Sequence, residues 1–95
     1  MSKLEKILSR LLLTPKPKNF TWAELVYIMK QHNFEIINAK SGGSGRKFIH
    51  RQTNICVNLH EPHPENTMKK YALEAAIEGL INSGELSDFD GDENE

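Results

Sequence analysis

The stretch that decides the fold is Ile55-Cys56-Val57-Asn58-Leu59-His60, in which apolar and polar residues alternate. Alternation with a period of two is typical of a strand that has one buried face. The three aliphatic residues are therefore predicted to face the core. Cys56, Asn58 and His60 are predicted to point to the opposite, open face of the sheet.

Two further strands precede this one in the sequence. Residues 34–40 and 46–51 have strand character, and the turn between them contains three glycines in five residues, which favour neither regular structure. Residues 52–54 leave room only for a tight connection to the strand at 55–60. Three strands with such short connections predict an antiparallel meander.

Three helices complete the chain. Leucines and an isoleucine recur at helical spacing over residues 4–12, and this first helix should end before Pro15. Thr21 and Glu24 have the spacing of a capping box, so a second helix should begin at Trp22. It should end near His32 and Asn33, because asparagine tolerates the left-handed turn that closes many helices.

The last helix follows a proline-containing loop at residues 61–66. Asn66 or Thr67 is the predicted N-cap, the helix should reach about Ser83, and Gly84 is a natural C-terminal cap. The predicted buried stripe contains Met68, Tyr71, Ala72, Ala75, Leu80 and Ile81. Trp22, Phe20 and Tyr71 are all predicted to be packing residues.

These elements predict an α+β protein with an α-β-β-β-α core and both core helices on one face of a three-stranded antiparallel sheet. That is the architecture of double-stranded-RNA-binding domains. An extra helix and a Pro/Lys connector occupy residues 1–18, the core domain occupies 19–84, and residues 85–95 form an acidic tail that is predicted to be disordered.

Charge is distributed unevenly along the 95 residues. The net charge is −1, but the tail at 85–95 contains 6 acidic residues and no basic one. Residues 1–84 hold all 12 Lys and Arg against 7 acidic residues, a net charge of +5. A basic body attracts polyanions, although charge alone argues for solubility and encounter rather than for a specific site.

Features of secretion and of membrane insertion are missing from the sequence. No apolar run approaches the ~20 residues of a membrane span, and no signal peptide is recognisable. The single cysteine, Cys56, excludes an internal disulfide, fits a reducing cytosol and is predicted to pack within a strand. We therefore expect a cytoplasmic protein with no membrane association and no cofactor.

Four short motifs follow one another at the spacings of a known toxin family: Trp22-Ala23-Glu24-Leu25; Gly43-Ser44 with Lys47-Phe48; Leu59-His60-Glu61-Pro62-His63-Pro64; and Met68-Lys69-Lys70. Over residues 19 to 84 the chain resembles the HicA-like toxins of bacterial toxin–antitoxin pairs. The extra N-terminal helix resembles a divergent branch of that family. The resemblance implies a protein that binds and cuts messenger RNA and that a partner antitoxin holds silent.

In that family a Gly-Ser-His motif carries the catalytic histidine. Here Gly43 and Ser44 are followed by Gly45, which cannot transfer a proton. Metal-free RNA cleavage needs a base, an acid and cationic groups that stabilise charge on the phosphorane, and histidine suits both proton-transfer roles. The candidate catalytic residues are therefore His60, His63 and His50, although His50 shares a face with Phe48 and could instead belong to the core.

The predicted RNA-binding residues are cations and the small residues of the glycine turn, which could approach a phosphate backbone closely: Lys40, Gly43, Ser44, Arg46, Lys47, Arg51, Lys69 and Lys70. A zinc site built from Cys56 and the histidines is chemically possible, but no paired-cysteine signature supports it, so no metal is predicted.

Two other functions remain open at this point. One is a binding module that kept the fold and the RNA-facing charge but lost nuclease activity, which Gly45 favours. The other is a protein-interaction domain whose basic face meets an acidic antitoxin or the chain's own acidic tail.

Overall fold

The computed structural model describes residues 2–38, 45–62 and 67–86. It contains three helices and three strands in the order α1 (Lys3–Leu11), α2 (Trp22–Gln31), β1 (Phe34–Asn38), β2 (Gly45–His50), β3 (Cys56–His60) and α3 (Lys70–Asn82). The strands form one antiparallel sheet in the order β1-β2-β3. The predicted α+β class and α-β-β-β-α core are confirmed.

Capping residues set the helix ends as the sequence indicates. Thr21 and Glu24 form a reciprocal capping box, in which the Glu24 backbone N–H donates to Thr21 Oγ1 and the Thr21 N–H donates to Glu24 Oε1. Asn33 follows α2 with a φ of 69°. Gly84 follows α3 with a φ of 87°, and the Glu85 N–H donates to the carbonyl of Leu80, as in a Schellman motif.

The beginning of α3 differs from the prediction. Thr67 is not its N-cap, because Thr67 forms an isolated antiparallel bridge with Thr21, and the Met68 N–H donates to the Phe20 carbonyl. Those backbone pairings hold the segment in an extended conformation. The helix therefore begins at Lys70 with Lys69 as its N-cap, and Lys69 makes no side-chain capping hydrogen bond.

One hydrophobic core lies between the helices and one face of the sheet. Ile7 and Leu11 of α1 are buried in it together with Phe20, which precedes α2, so the N-terminal helix belongs to the same core as the domain it precedes. The strand alternation predicted for β3 is confirmed, since Val57 and Leu59 are buried and their neighbours in the strand are exposed.

Helix α3 packs against β3 through a glycine. A Cβ built on Gly79 would lie 2.2 Å from Cγ2 of Val57, so there is no room for a side chain at this position. This contact selects the buried face of α3, which contains Ala72, Leu73, Ala76 and Leu80. Tyr71 falls outside that face and is exposed, so the prediction that it packs in the core is wrong.

Cys56 is exposed on the open face of the sheet, as the alternation of β3 predicts, so the packing role that was also considered for it is wrong. None of the described helices is long and apolar enough to cross a membrane.

Candidate functional site

The open face of the sheet carries the side chains that do not point towards the helices. The strand register aligns Ile37, Lys47 and Asn58 in one row across this face, and it pairs Gly45 with His60 in the next row. Lys47, Asn58 and His60 are all exposed. A cleft of about 470 Å³ runs along these two rows. A cation and an imidazole therefore border the same concave surface.

Gly45 and His60 are paired residues of the neighbouring strands β2 and β3. A Cβ built on Gly45 would lie 3.9 Å from Cε1 of His60, which is an ordinary van der Waals distance, and among the described residues, its chain neighbours apart, no atom would be nearer. A side chain at position 45 would thus project beside the His60 imidazole on the open face. His60 occupies the space next to the position where the resemblance puts a histidine.

His60 also lines a second, smaller cleft of about 100 Å³, which lies at the beginning of α3. Pro62, Thr67, Lys69 and Tyr71 are among the other residues of that cleft. His60 therefore lies where the open face of the sheet meets the first turn of α3. Lys47 approaches this junction from the sheet side and Lys69 from the helix side.

Arg46 lies on the face of β2 opposite to Lys47, because neighbouring residues of a strand alternate. Its guanidinium pairs with Glu61 Oε1 at 3.0 Å and donates to the Gly45 carbonyl at 2.9 Å. These contacts tie the first residue of β2 to the residue after His60, and the carboxylate offsets the charge of Arg46. Arg46 thus fixes the backbone beneath the Gly45–His60 pair.

Arg51 lies far from that pair. It follows His50, the last residue of β2, which lies about 17 Å along the strand from Gly45, and its Nε donates to Glu35 at 3.0 Å. The structure therefore separates Arg51 from Lys47 and Lys69, with which the sequence interpretation had grouped it. Lys70, the first residue of α3, is exposed next to Lys69.

His50 belongs to the packed core. Its side chain is 1% exposed and meets the Phe34 ring edge-on, with 5.0 Å between the ring centroids. The Thr53 N–H donates to its Nδ1 at 3.2 Å, so Nε2 is the nitrogen that donates to Glu85 Oε2, at 2.7 Å. Because His50 and His60 lie at opposite ends and on opposite faces of the sheet, the structure does not bring these two candidates together.

The carboxylate of Glu85 also contacts a second histidine, His32, which was not among the predicted site residues. Its Oε1 lies 3.2 Å from Nδ1 of His32, and its Oε2 accepts from Asn33 Nδ2 at 3.2 Å. The hydrogen bond from His50, aided by those from Asn33 and His32, holds the pKa of Glu85 below its usual range and outweighs the opposing effect of burial. Glu85, placed by the sequence interpretation in the tail, is thus bound to the folded domain, and Leu86 packs against the core.

Four of the predicted site residues, Lys40, Gly43, Ser44 and His63, lie outside the described residues, as does the tail from residue 87 onwards. Within the described part of the chain, no group of three His, Cys, Asp or Glu side chains could hold a metal ion. Cys56 and His50, two members of the zinc set that was considered, point to opposite faces of the sheet.

Tyr71 is the residue of this site that the sequence interpretation missed. Its aromatic character suggested burial. The apolar residues of α3 lie on more than one side of the helix, so no local sequence signal marked Tyr71 as exposed.

Comparison with known proteins identifies the family. Residues 22–80 match the family model described as HicA toxin of bacterial toxin-antitoxin. The match runs from the first residue of α2 to Leu80 of α3 and covers more than half of the chain. A search of curated proteins and a search of solved structures each found no match. The family match and the α-β-β-β-α core agree, and the chain belongs to the HicA toxin family of bacterial toxin–antitoxin systems.

Proposed function

We propose that this toxin binds single-stranded regions of messenger RNA and cleaves them without a metal ion, with His60 as a proton carrier. The observation that carries the proposal is the pairing of His60 with Gly45, which puts the imidazole beside the point where a side chain at position 45 would begin. An imidazole from β3 stands beside the position on β2 where the family resemblance puts the catalytic histidine. An exchange of the histidine between two paired strands would leave the proton-transferring group in nearly the same place.

Histidine and lysine are residue types that suffice for this chemistry. The 2′-oxygen attacks phosphorus as its proton is removed, the bond from phosphorus to the 5′-oxygen breaks, and that oxygen takes up a proton. The products are a 2′,3′-cyclic phosphate and a 5′-hydroxyl. A histidine serves in either proton transfer, which contributes about 10²–10⁴-fold to the rate. His63 is three residues away in the sequence and stays a candidate for the second transfer.

The surrounding cations have separate tasks in this proposal. Lys47 and Lys69 flank His60 from the sheet and from α3, which suits them to bind phosphates on either side of the cleaved bond. Lys70 extends the basic surface along the first turn of α3. Arg46, being paired with Glu61, positions the backbone at Gly45 instead.

Family membership implies an antitoxin partner. A toxin that acts on messenger RNA would work in the cytoplasm, where we expect both proteins. The antitoxin would silence this toxin most simply by covering the His60 clefts.

The alternative is an RNA- or protein-binding member of the family that has lost nuclease activity. Gly45 favours it, because a glycine stands where the family resemblance puts the catalytic histidine. RNA binding cannot separate the two proposals, since a basic surface binds RNA in a salt-dependent manner with or without cleavage. Analysis of the reaction products can separate them.

The test is incubation of the purified toxin with a long single-stranded RNA, with and without EDTA, followed by analysis of the fragment ends. The proposal expects cleavage that EDTA does not reduce, with 2′,3′-cyclic phosphate and 5′-hydroxyl ends. RNA that remains intact with a demonstrably folded toxin would contradict cleavage and support the binding module. Cleavage that EDTA abolishes would contradict the metal-free mechanism.

A further inference from the structure

An aromatic side chain stands in solvent beside the proposed reaction site. Tyr71 is 65% exposed, more than any other large hydrophobic residue that the structure describes. The side chains of its neighbours Met68 and Ala72 turn into the core. An exposed ring does not gain the free energy that burial of a large aromatic side chain provides. Packing in the core therefore does not explain an aromatic residue at this position.

The position of Tyr71 connects it to His60. It is the second residue of α3, and it lines the smaller cleft together with His60, Pro62 and Lys69. A strand of RNA that brings a phosphate to His60 would therefore bring an adjoining nucleotide to the Tyr71 ring.

Charges around Tyr71 favour one direction for that strand. Lys69 and Lys70 precede it, whereas Glu74 and Glu78 are exposed on the two following turns of α3. A phosphate backbone is attracted to the first turn of the helix and repelled by the next two. The aromatic ring thus lies at the border of the basic surface, beside the part of it that adjoins His60.

We propose that Tyr71 is a stacking platform for an unpaired nucleobase next to the phosphate that His60 addresses. This inference rests on the proposed function, because it requires RNA to enter the His60 clefts. Stacking on an aromatic ring tolerates every base, since each has a π-face, but it requires a base that is free of a duplex. Tyr71 would accordingly select single-stranded substrate without selecting its sequence.

The test uses a fluorescently labelled 2′-O-methyl RNA, whose blocked 2′-oxygen prevents cleavage, and measures its dissociation constant by anisotropy. Tyr71→Ala should weaken binding by about fivefold to 150-fold, which is the range of one aromatic–base stack. Tyr71→Trp should bind at least as tightly as the parent. The matched control is Leu13→Ala, which removes an exposed apolar side chain just after the C-cap of α1, and it should leave affinity unchanged.

An abasic strand with the same backbone identifies the contact as stacking. On this strand Tyr71→Ala and the parent should bind equally. An equal loss of affinity on both strands would show that Tyr71 contacts the backbone and would overturn the inference.

Failure of the inference and failure of the proposed function look different in this experiment. If the parent protein binds neither strand, both the inference and the proposed function are overturned. If Tyr71→Ala binds RNA as tightly as the parent does, RNA binding stands and only the stacking role is overturned. The exposed ring would then be available to a protein partner. Because Tyr71 is exposed, the alanine variant should unfold at the same temperature as the parent, which separates a binding defect from a folding defect.

Discussion

His60 and Gly45 face each other across β3 and β2, and Cε1 of His60 lies 3.9 Å from the point where a Cβ of residue 45 would sit. Paired strands lie about 4.8 Å apart, so a histidine moved from one strand to the other would shift its imidazole by only about that distance. The backbone at Gly45 does not require glycine, since its φ is not in the left-handed region. These facts permit a direct exchange of the two side chains.

We predict that Gly45→His restores cleavage to a protein that carries His60→Ala. The new imidazole would project beside the vacated position, where Lys47 and Lys69 still bind the phosphates. The rate should rise at least tenfold above that of His60→Ala alone, measured on the same RNA under single-turnover conditions. Gly45→Ala in the His60→Ala background is the matched control and should show no recovery. Equal rates for the two double variants would contradict the shared location.

Neutralising the cations that flank His60 should weaken RNA binding in a salt-dependent way. Lys47→Gln and Lys69→Gln should each reduce affinity at low salt and should each reduce the slope of log K against log salt by about 0.7, which is the value for one phosphate contact of a single strand. Lys30→Gln removes an equal charge from the end of α2, away from both clefts, and serves as the control. A loss as large for Lys30→Gln would indicate diffuse attraction to the whole basic body.

Removing the Glu85 carboxylate should destabilise the domain. Glu85→Ala leaves the buried Nε2 of His50 without its acceptor, and an unsatisfied buried donor costs about 1–3 kcal/mol. Chemical denaturation at neutral pH measures this loss. Glu78→Ala, which truncates an exposed glutamate of α3, is the control and should change the free energy of unfolding little.

The contribution of Glu85 to the free energy of unfolding should depend on pH, and its direction can be predicted. The pKa of Glu85 is lowered in the folded state, chiefly by its hydrogen bond from His50, so its contribution is fully present above the pKa of a glutamate in the unfolded chain. It is lost as the pH falls through the lower pKa of the folded state. The difference in unfolding free energy between the parent and Glu85→Ala should therefore shrink in strong acid. A difference that stays constant through this range would contradict the assignment.

Helix α3 should not tolerate a methyl group at Gly79. Alanine favours the helix by about 1 kcal/mol over glycine, but its Cβ would overlap the Val57 side chain, and overpacking costs about 1–3 kcal/mol. With a contact as short as 2.2 Å we expect the overlap to prevail and the melting temperature to fall. A higher melting temperature would show that Val57 moves aside easily.

Local patterns predicted the sheet well. The side chains of a strand alternate strictly between its two faces, so the sequence of β3 alone assigned Val57 and Leu59 to the core and His60 to the open face. The capping box at Thr21 and the glycine after α3 were equally local, because each involves backbone groups only a few residues apart.

Contacts between distant parts of the chain decided the rest. Helix α3 is apolar on more than one side, so its sequence did not define its buried face, and the close approach of Gly79 to β3 turned Tyr71 outwards. Thr67 could serve as a cap by its sequence, but a bridge to Thr21, 46 positions earlier, took it out of the helix. Glu85 looked like part of an acidic tail because His50, its main partner, is 35 residues away.

The measurement that tests the central claim most directly is the single-turnover rate of RNA cleavage by His60→Ala in the presence of EDTA. Cys56→Ala, which truncates an exposed side chain on the same face of the same strand but lines neither of the two His60 clefts, is the matched control. If His60 carries a proton in the reaction, its loss should lower the rate by about 10²–10⁴-fold while the melting temperature and RNA affinity stay near those of the parent. A rate for His60→Ala equal to that of Cys56→Ala and of the parent would contradict the account.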